Sequence, residues 1–193
     1  MNFDLTDEQR MLQETVAQYV ENECPMARLR EIFDGDEGHD PVLWKGLAEL
    51  GVVGLAIGDQ YGGAGLEMLD LAVVAEKLGH AAFPGPFFNH ALGALAIELA
   101  GSDEQKEAWL PRFREGKISA FALTEPNVGS DPAQMATEAV LTEYGQHYII
   151  NGDKLWCTNG PIADILVVMA KTAPIMRGDK EIKQITALIV EIV

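Results

Sequence analysis

The sequence predicts an α+β chain: an N-terminal all-helical domain over residues 1–116, then an antiparallel β domain, incomplete, over residues 117–193. Three observations lead there. Apolar residues recur at helical spacing through residue 116, and two capping boxes, Thr6-Asp7-Glu8-Gln9 and Ser102-Asp103-Glu104-Gln105, mark helix starts. From Lys117 the pattern changes to short runs rich in β-branched residues. Asn151-Gly152 then supplies a strong type I′ hairpin signal.

Behind Thr6, with acids in the first turn, Met11, Leu12, Thr15, Val16, Tyr19 and Val20 form one helical stripe, so the first helix spans 7–23. Pro25 limits it; a shorter helix follows over 26–33, and Gly35-Asp36-Glu37-Gly38 is a loop. Pro41 suits the first turn of a helix reaching Leu50, which Gly51 closes. The apolar run 52–57 is short, and four glycines within 58–65 break regular structure around a Tyr61-Gly62-Gly63 turn. That loop lacks both the Gly-Lys-Ser/Thr of a P-loop and the GxGxxG of a dinucleotide fold.

Helices are expected again over 68–80 and 87–100, the second apolar enough to be buried on several sides, with Pro84 and Pro86 between them. Ser102 opens a further helix through Trp109 and Leu110, with Pro111 as a candidate kink. Strands are expected over 118–123, 136–144, 147–150, 155–157, 165–170 and 185–193. The last runs to the final residue without a turn or polar tail, so the chain reads as the front part of a longer protein.

Composition removes several function classes. With 193 residues and 48% hydrophobic content the chain can bury a core, and a net charge of −16 argues against nucleic acid as a partner. The first 60 residues hold 13 acids against 4 bases, read as solvated helix faces. No run approaches the roughly 20 apolar residues of a membrane span. The acidic opening MNFDLTDEQR is neither signal nor transit peptide, which predicts a cytoplasmic protein; a processed mitochondrial chain would read the same. Cys24 and Cys157 lack CxxC spacing and read as buried reduced thiols. His39, His80, His90 and His147 show no metal spacing, and surface or helix-end roles are expected for all four.

Two segments carry the chemistry. FALTEPNVGSD, 121–131, reads as a strand entering a Pro- and Gly-punctuated turn with hydroxyls at Thr124 and Ser130 and a carboxylate at Glu125; such a turn can turn backbone N–H groups toward an anion. WCTNG, 156–160, places an indole two residues before a threonine on what reads as one strand face, a flat apolar plate beside a hydrogen-bonding group. Together they suit a large planar cofactor with a phosphate tail.

In this order and separation the two segments resemble the flavin-binding signatures of the acyl-CoA dehydrogenase family, and the acidic helical opening, Tyr61-Gly62-Gly63 turn, helices and then strands follow the family pattern along the whole chain. The resemblance implies a truncated fold of that family, lacking its C-terminal bundle, with FAD as cofactor. Phe121, Ala122, Leu123 and Thr124 would line the ring; Gly129 and Ser130 would meet the phosphate region, Ser130 also lying beside the acyl-CoA thioester. Trp156 would lie against the flavin, Thr158 would bond the ring nitrogen that accepts hydride, and Cys157 stands where the family is usually aliphatic. Asp131 reads as structural, capping the turn, Glu125 as a structural carboxylate, and the 58–65 loop as shaping the substrate cavity.

The implied activity is oxidation of an acyl-CoA thioester to the trans-2-enoyl-CoA, with electrons passed on to an electron-transfer flavoprotein by a homo-oligomer. The family's glutamate base corresponds to no residue here, so no catalytic residue and no metal ligand is assigned, and this chain alone is expected to be inactive. An acyl-CoA oxidase or flavin monooxygenase on the same scaffold, or a non-catalytic flavin- or CoA-binding module, stays open. KEIKQITALIVE resembles longer-chain members and GHAAFPGPFF those acting on bulkier acyl groups, so the acyl length is undetermined.

Overall fold

The computed structural model describes residues 4–36, 38–145 and 147–192 of the 193. The first three residues of the opening, Glu37 of the 35–38 loop and Val193 of the last expected strand lie outside them. The chain divides into two compact units, 1–117 and 118–193.

In the helical unit α1, Asp7–Glu23, begins at a formed capping box: Thr6 Oγ1 accepts from Gln9 N–H at 3.2 Å and Gln9 Oε1 from Thr6 N–H at 3.1 Å. Val16 and Val20 are its buried face, while Met11, expected on that stripe, is exposed. After α2, Met26–Asp34, and α3, Pro41–Glu49, the chain turns at Gly51 with φ 78°. Asp40 caps α3, accepting from Val42 N–H at 2.8 Å, and also takes the Arg28 guanidinium at 2.6 Å. Burial pushes the Asp40 carboxyl up, but the Arg28 hydrogen bond and the two helix N–H groups more than reverse this and hold it low.

The glycine-rich loop is a packed return. Ala64, Gly65 and Leu66 N–H donate to the carbonyls of Gly54, Ile57 and Leu55 at 3.1, 2.8 and 2.8 Å. A Cβ on Gly63 would sit 2.1 Å from the Ile57 carbonyl oxygen, so glycine there answers a backbone approach. Helices α4, Met68–His80, and α5, Phe87–Ala100, follow; α6, Asp103–Arg114, starts at the Ser102 capping box and continues through Pro111. Phe87, Phe88, Leu71, Met68 and Leu92 of α4 and α5 border an apolar groove of about 130 Å³.

His90 corrects the expectation for histidines: it is fully buried in α5, edge-on to Trp44 at 4.9 Å and 5.7 Å from the Phe113 ring. Trp44 Nε1 donates to the Gly116 carbonyl at 2.7 Å, so α3, α5 and the end of the unit meet at these rings. Among the described residues no helix is long and apolar enough to cross a membrane.

The second unit is a five-stranded sheet of β1 Ser119–Ala122, β2 Glu138–Leu141, β3 Tyr148–Asn151, β4 Ile165–Arg177 and β5 Lys180–Glu191. The α+β order holds, but the expected antiparallel sheet is mixed. β1 runs parallel to β4 from Ser119↔Ile165 to Ala122↔Val168, and β2 meets β4 in parallel at Glu138↔Lys171. β2–β3 and β4–β5 are antiparallel hairpins. The intervening turns and loops between β1 and β4 make the parallel crossover possible.

Four expected strands change. The strand expected over 136–144 shortens to Glu138–Leu141. 165–170 extends to Arg177, crossing Pro174 by an irregularity between Thr172 and Ile175, and 185–193 starts at Lys180. Residues 155–157 form no strand. The β2–β3 hairpin closes instead where Thr142 N–H donates to the His147 carbonyl at 2.8 Å, and Gly145 has φ 68°. Asn151 instead ends β3, paired with Glu138, and Gly152 lets Thr137 approach so closely that a Cβ there would lie 2.4 Å from Thr137 Oγ1. Gly152, with the chemistry of a turn former, is instead a site of close contact.

Candidate functional site

Both candidate segments belong to the sheet unit, and their positions follow from β1. Phe121 is half-buried and Ala122 buried at the end of β1; Leu123 and Thr124, half-buried, follow directly. Glu125 and Val128 then exchange N–H to carbonyl bonds at 3.0 and 3.1 Å, closing a tight turn over Pro126-Asn127. Gly129 and Ser130 emerge exposed from this turn, and buried Met135 brings the chain back toward β2.

The second segment returns beside the first. Leu155 N–H donates to the Thr124 carbonyl at 2.9 Å, and the Asn159 side-chain amide to the Ser119 carbonyl at 3.0 Å. The strand geometry expected for 155–157 is replaced by a turn: Trp156 and Asn159 take left-handed φ of 55° and 69°, and Thr158 N–H donates to the Trp156 carbonyl at 3.0 Å. A turn, and not strand alternation, therefore sets the backbone of Thr158 beside that of Trp156. Trp156 is 85% exposed, Thr158 is exposed and Cys157 half-buried. A bulky residue in the left-handed region costs about 1–3 kcal/mol, and here it presents the indole outward.

Between the segments lies an ion pair. Lys154 Nζ is 2.8 Å from Glu125 Oε1 and donates to the Leu123 carbonyl at 3.1 Å; their side chains are 11% and 3% exposed. Glu125 Oε1 also accepts from Thr137 N–H at 3.0 Å, and Oε2 from Ala136 N–H. Burial raises the Glu125 pKa, but Lys154, Thr137 and the two backbone N–H groups outweigh it and hold the carboxyl down to about 2. Such a carboxylate is a structural node and a poor proton acceptor. Lys154 lies outside both segments; the one sequence signal for it is a carboxylate at the end of an apolar strand, which needs a cation when buried.

Burial pushes the thiols of Cys24 and Cys157 up, and neither is in a disulfide. Among the described residues no group of three or more His, Cys, Asp or Glu is placed to hold a metal ion.

Residues 6–117 match the acyl-CoA dehydrogenase N-terminal domain and residues 120–192 the acyl-CoA dehydrogenase middle domain. The chain belongs to the acyl-CoA dehydrogenase family. It is 41% identical over 197 residues to the mitochondrial isovaleryl-CoA dehydrogenase of Pongo abelii, covering 97% of this chain and 44% of that one. It is 39% identical over 180 residues to a probable acyl-CoA dehydrogenase of Bacillus subtilis, covering 92% and 30%. The crystal structure of an acyl-CoA dehydrogenase complexed with FAD from Bacillus anthracis superposes with a TM-score of 0.83 at 36% identity, covering 97% of this chain and 31% of that one. This family member thus spans between 30% and 44% of the length of these two curated relatives.

Proposed function

We propose that this chain is the N-terminal portion of an FAD-dependent acyl-CoA dehydrogenase that oxidises an acyl-CoA thioester to the trans-2-enoyl-CoA. The observation that carries the reading is the 2.9 Å bond from Leu155 N–H to the Thr124 carbonyl, which sets the two flavin-type segments side by side. The donor set fits FAD: an exposed indole at Trp156 supplies a flat apolar face, Thr124 and Thr158 supply hydroxyls, and the exposed Gly129-Ser130 turn supplies N–H and O–H donors for phosphate. Donors of this kind suit a chain of net charge −16, because they bind an anion without adding cations.

FAD, when bound, supplies the acceptor for the hydride that leaves the β-carbon. Phe121, Ala122, Leu123, Thr124, Trp156, Cys157 and Thr158 would hold its ring, and Ser130 would also meet the thioester. Thr158 would supply the preorganised donor that favours negative charge on the reduced ring. Glu125 takes no part in removing the α-proton, since both its oxygens are engaged and it is a weak base. We assign no acid or base within this chain. The apolar groove between α4 and α5 suits an acyl tail. Electrons pass to an electron-transfer flavoprotein, and the protein works in the cytoplasm as a homo-oligomer.

Anaerobic mixing of the complete FAD-loaded protein with a panel of acyl-CoA thioesters tests this. Bleaching of the flavin absorbance with enoyl-CoA formed is expected, and none from residues 1–193 alone. Release of hydrogen peroxide in air at the rate of turnover would favour an oxidase, and flavin binding without bleaching by any thioester a non-catalytic module.

A further inference from the structure

We propose that Lys154 is a positioning residue: with Glu125 it sets the register between residues 121–125 and 154–158, so that Thr124, Trp156 and Thr158 are presented to the flavin together. This rests on the flavin reading above and names a residue that no motif there contains.

The ammonium straddles Thr124. It bonds the Leu123 carbonyl at 3.1 Å on one side and Glu125 Oε1 at 2.8 Å on the other. One residue later Leu155 N–H takes the Thr124 carbonyl, and Trp156 follows. A backbone bond alone does not say which residue pairs with which, because every peptide offers the same groups. The lysine does, since only one alignment lets it meet both oxygens.

The carboxylate extends the same alignment to a third segment. Its oxygens accept from Ala136 and Thr137 N–H, fastening the far end of the turn that carries Gly129 and Ser130. One buried pair thus gathers 123–125, 136–137 and 154. A pair so buried gives little net stability over an apolar one, because desolvation offsets the attraction. What it supplies is a unique geometry, the property that a wall of separate donors needs.

The test uses the complete protein and FAD as the probe. Wild type, Lys154→Met, Lys154→Arg, Glu125→Gln and the double variant Lys154→Met/Glu125→Gln are compared by absorbance titration and by visible circular dichroism of the bound flavin. Lys154→Met is expected to raise the FAD dissociation constant about tenfold or more and to alter the flavin dichroism. The double variant is expected to bind no more weakly than Lys154→Met, as for two residues acting as one unit, and Lys154→Arg to recover part of the loss.

A folded Lys154→Met with wild-type affinity and dichroism overturns the proposal, as does a lowered melting temperature with both readouts unchanged. Should Lys154→Met not fold, wild-type affinity and dichroism in both Lys154→Arg and Glu125→Gln overturn it. Wild type that takes up no FAD defeats the flavin reading and this one with it; uptake with unaffected variants defeats this one alone.

Discussion

The imidazole of His90 lies edge-on to the indole of Trp44, ring centres 4.9 Å apart, with Nε2 3.2 Å from the Val53 carbonyl. A histidine so enclosed stays neutral: burial lowers its pKa to about 4, against hydrogen bonds to the Val53 and Lys117 backbone that favour the charged form. Unfolded, it takes a proton near pH 6.5, so between about 6.5 and 4 the unfolded state binds more protons than the native one. Its contribution is complete above pH 6.5 and is lost as pH falls toward 4, by up to about 3 kcal/mol. Urea unfolding at pH 7 and pH 4.5 should show a smaller loss for His90→Gln than for wild type; equal losses would count against the assignment.

Glu125 titrates in a lower window. Its folded pKa of about 2 lies below the ordinary 4.5, so its stabilisation is present above pH 4.5 and disappears as pH falls toward 2. Glu125→Gln leaves the Lys154 ammonium buried without its counter-charge, and a loss of about 3–5 kcal/mol is expected at pH 7. Denaturant midpoints of wild type and variant should converge as pH drops from 4.5 toward 2.

Two helix-interior glycines should respond with opposite signs. An alanine Cβ at Gly46 of α3 would lie 2.0 Å from Tyr19 Oη, which donates to the Leu43 carbonyl at 2.9 Å, so Gly46→Ala is expected to cost about 1–3 kcal/mol. At Gly79 of α4 nothing lies within 4 Å, and Gly79→Ala should gain about 0.4–1 kcal/mol. Melting temperatures of the two variants check both signs.

Trp156→Ala separates binding from stability. With the side chain 85% exposed, removing it should change unfolding free energy by less than about 0.5 kcal/mol, while FAD affinity in the complete protein falls about tenfold or more. Titration with FAD alongside a melting curve distinguishes this from a core tryptophan, whose loss would lower the melting temperature first.

The helical half was legible because its signals are local. Thr6 and Ser102 cap their helices through bonds three residues away, and α1, α4 and α5 begin and end where capping and proline placement put them. The second unit was less so: Asn151-Gly152 has the chemistry of a turn, but the pairing of Asn151 with Glu138 and the approach of Thr137 use it otherwise. The tight turn at Trp156 was likewise invisible, since a left-handed tryptophan contradicts its own propensity and is held by bonds to Thr124 and Ser119 from the neighbouring residues 155 and 159.

By itself the sequence determined the α+β order, the limits of α1, α4 and α5 and the residue types of the two candidate segments, all of them short-range or compositional properties. Tertiary structure alone decided that the sheet is mixed, that His90 is a neutral core residue, and that Lys154 and Glu125 join segments 29 residues apart. The reason is physical. Strand direction, desolvation and ion pairing depend on which distant groups arrive together, and no local pattern encodes that arrival.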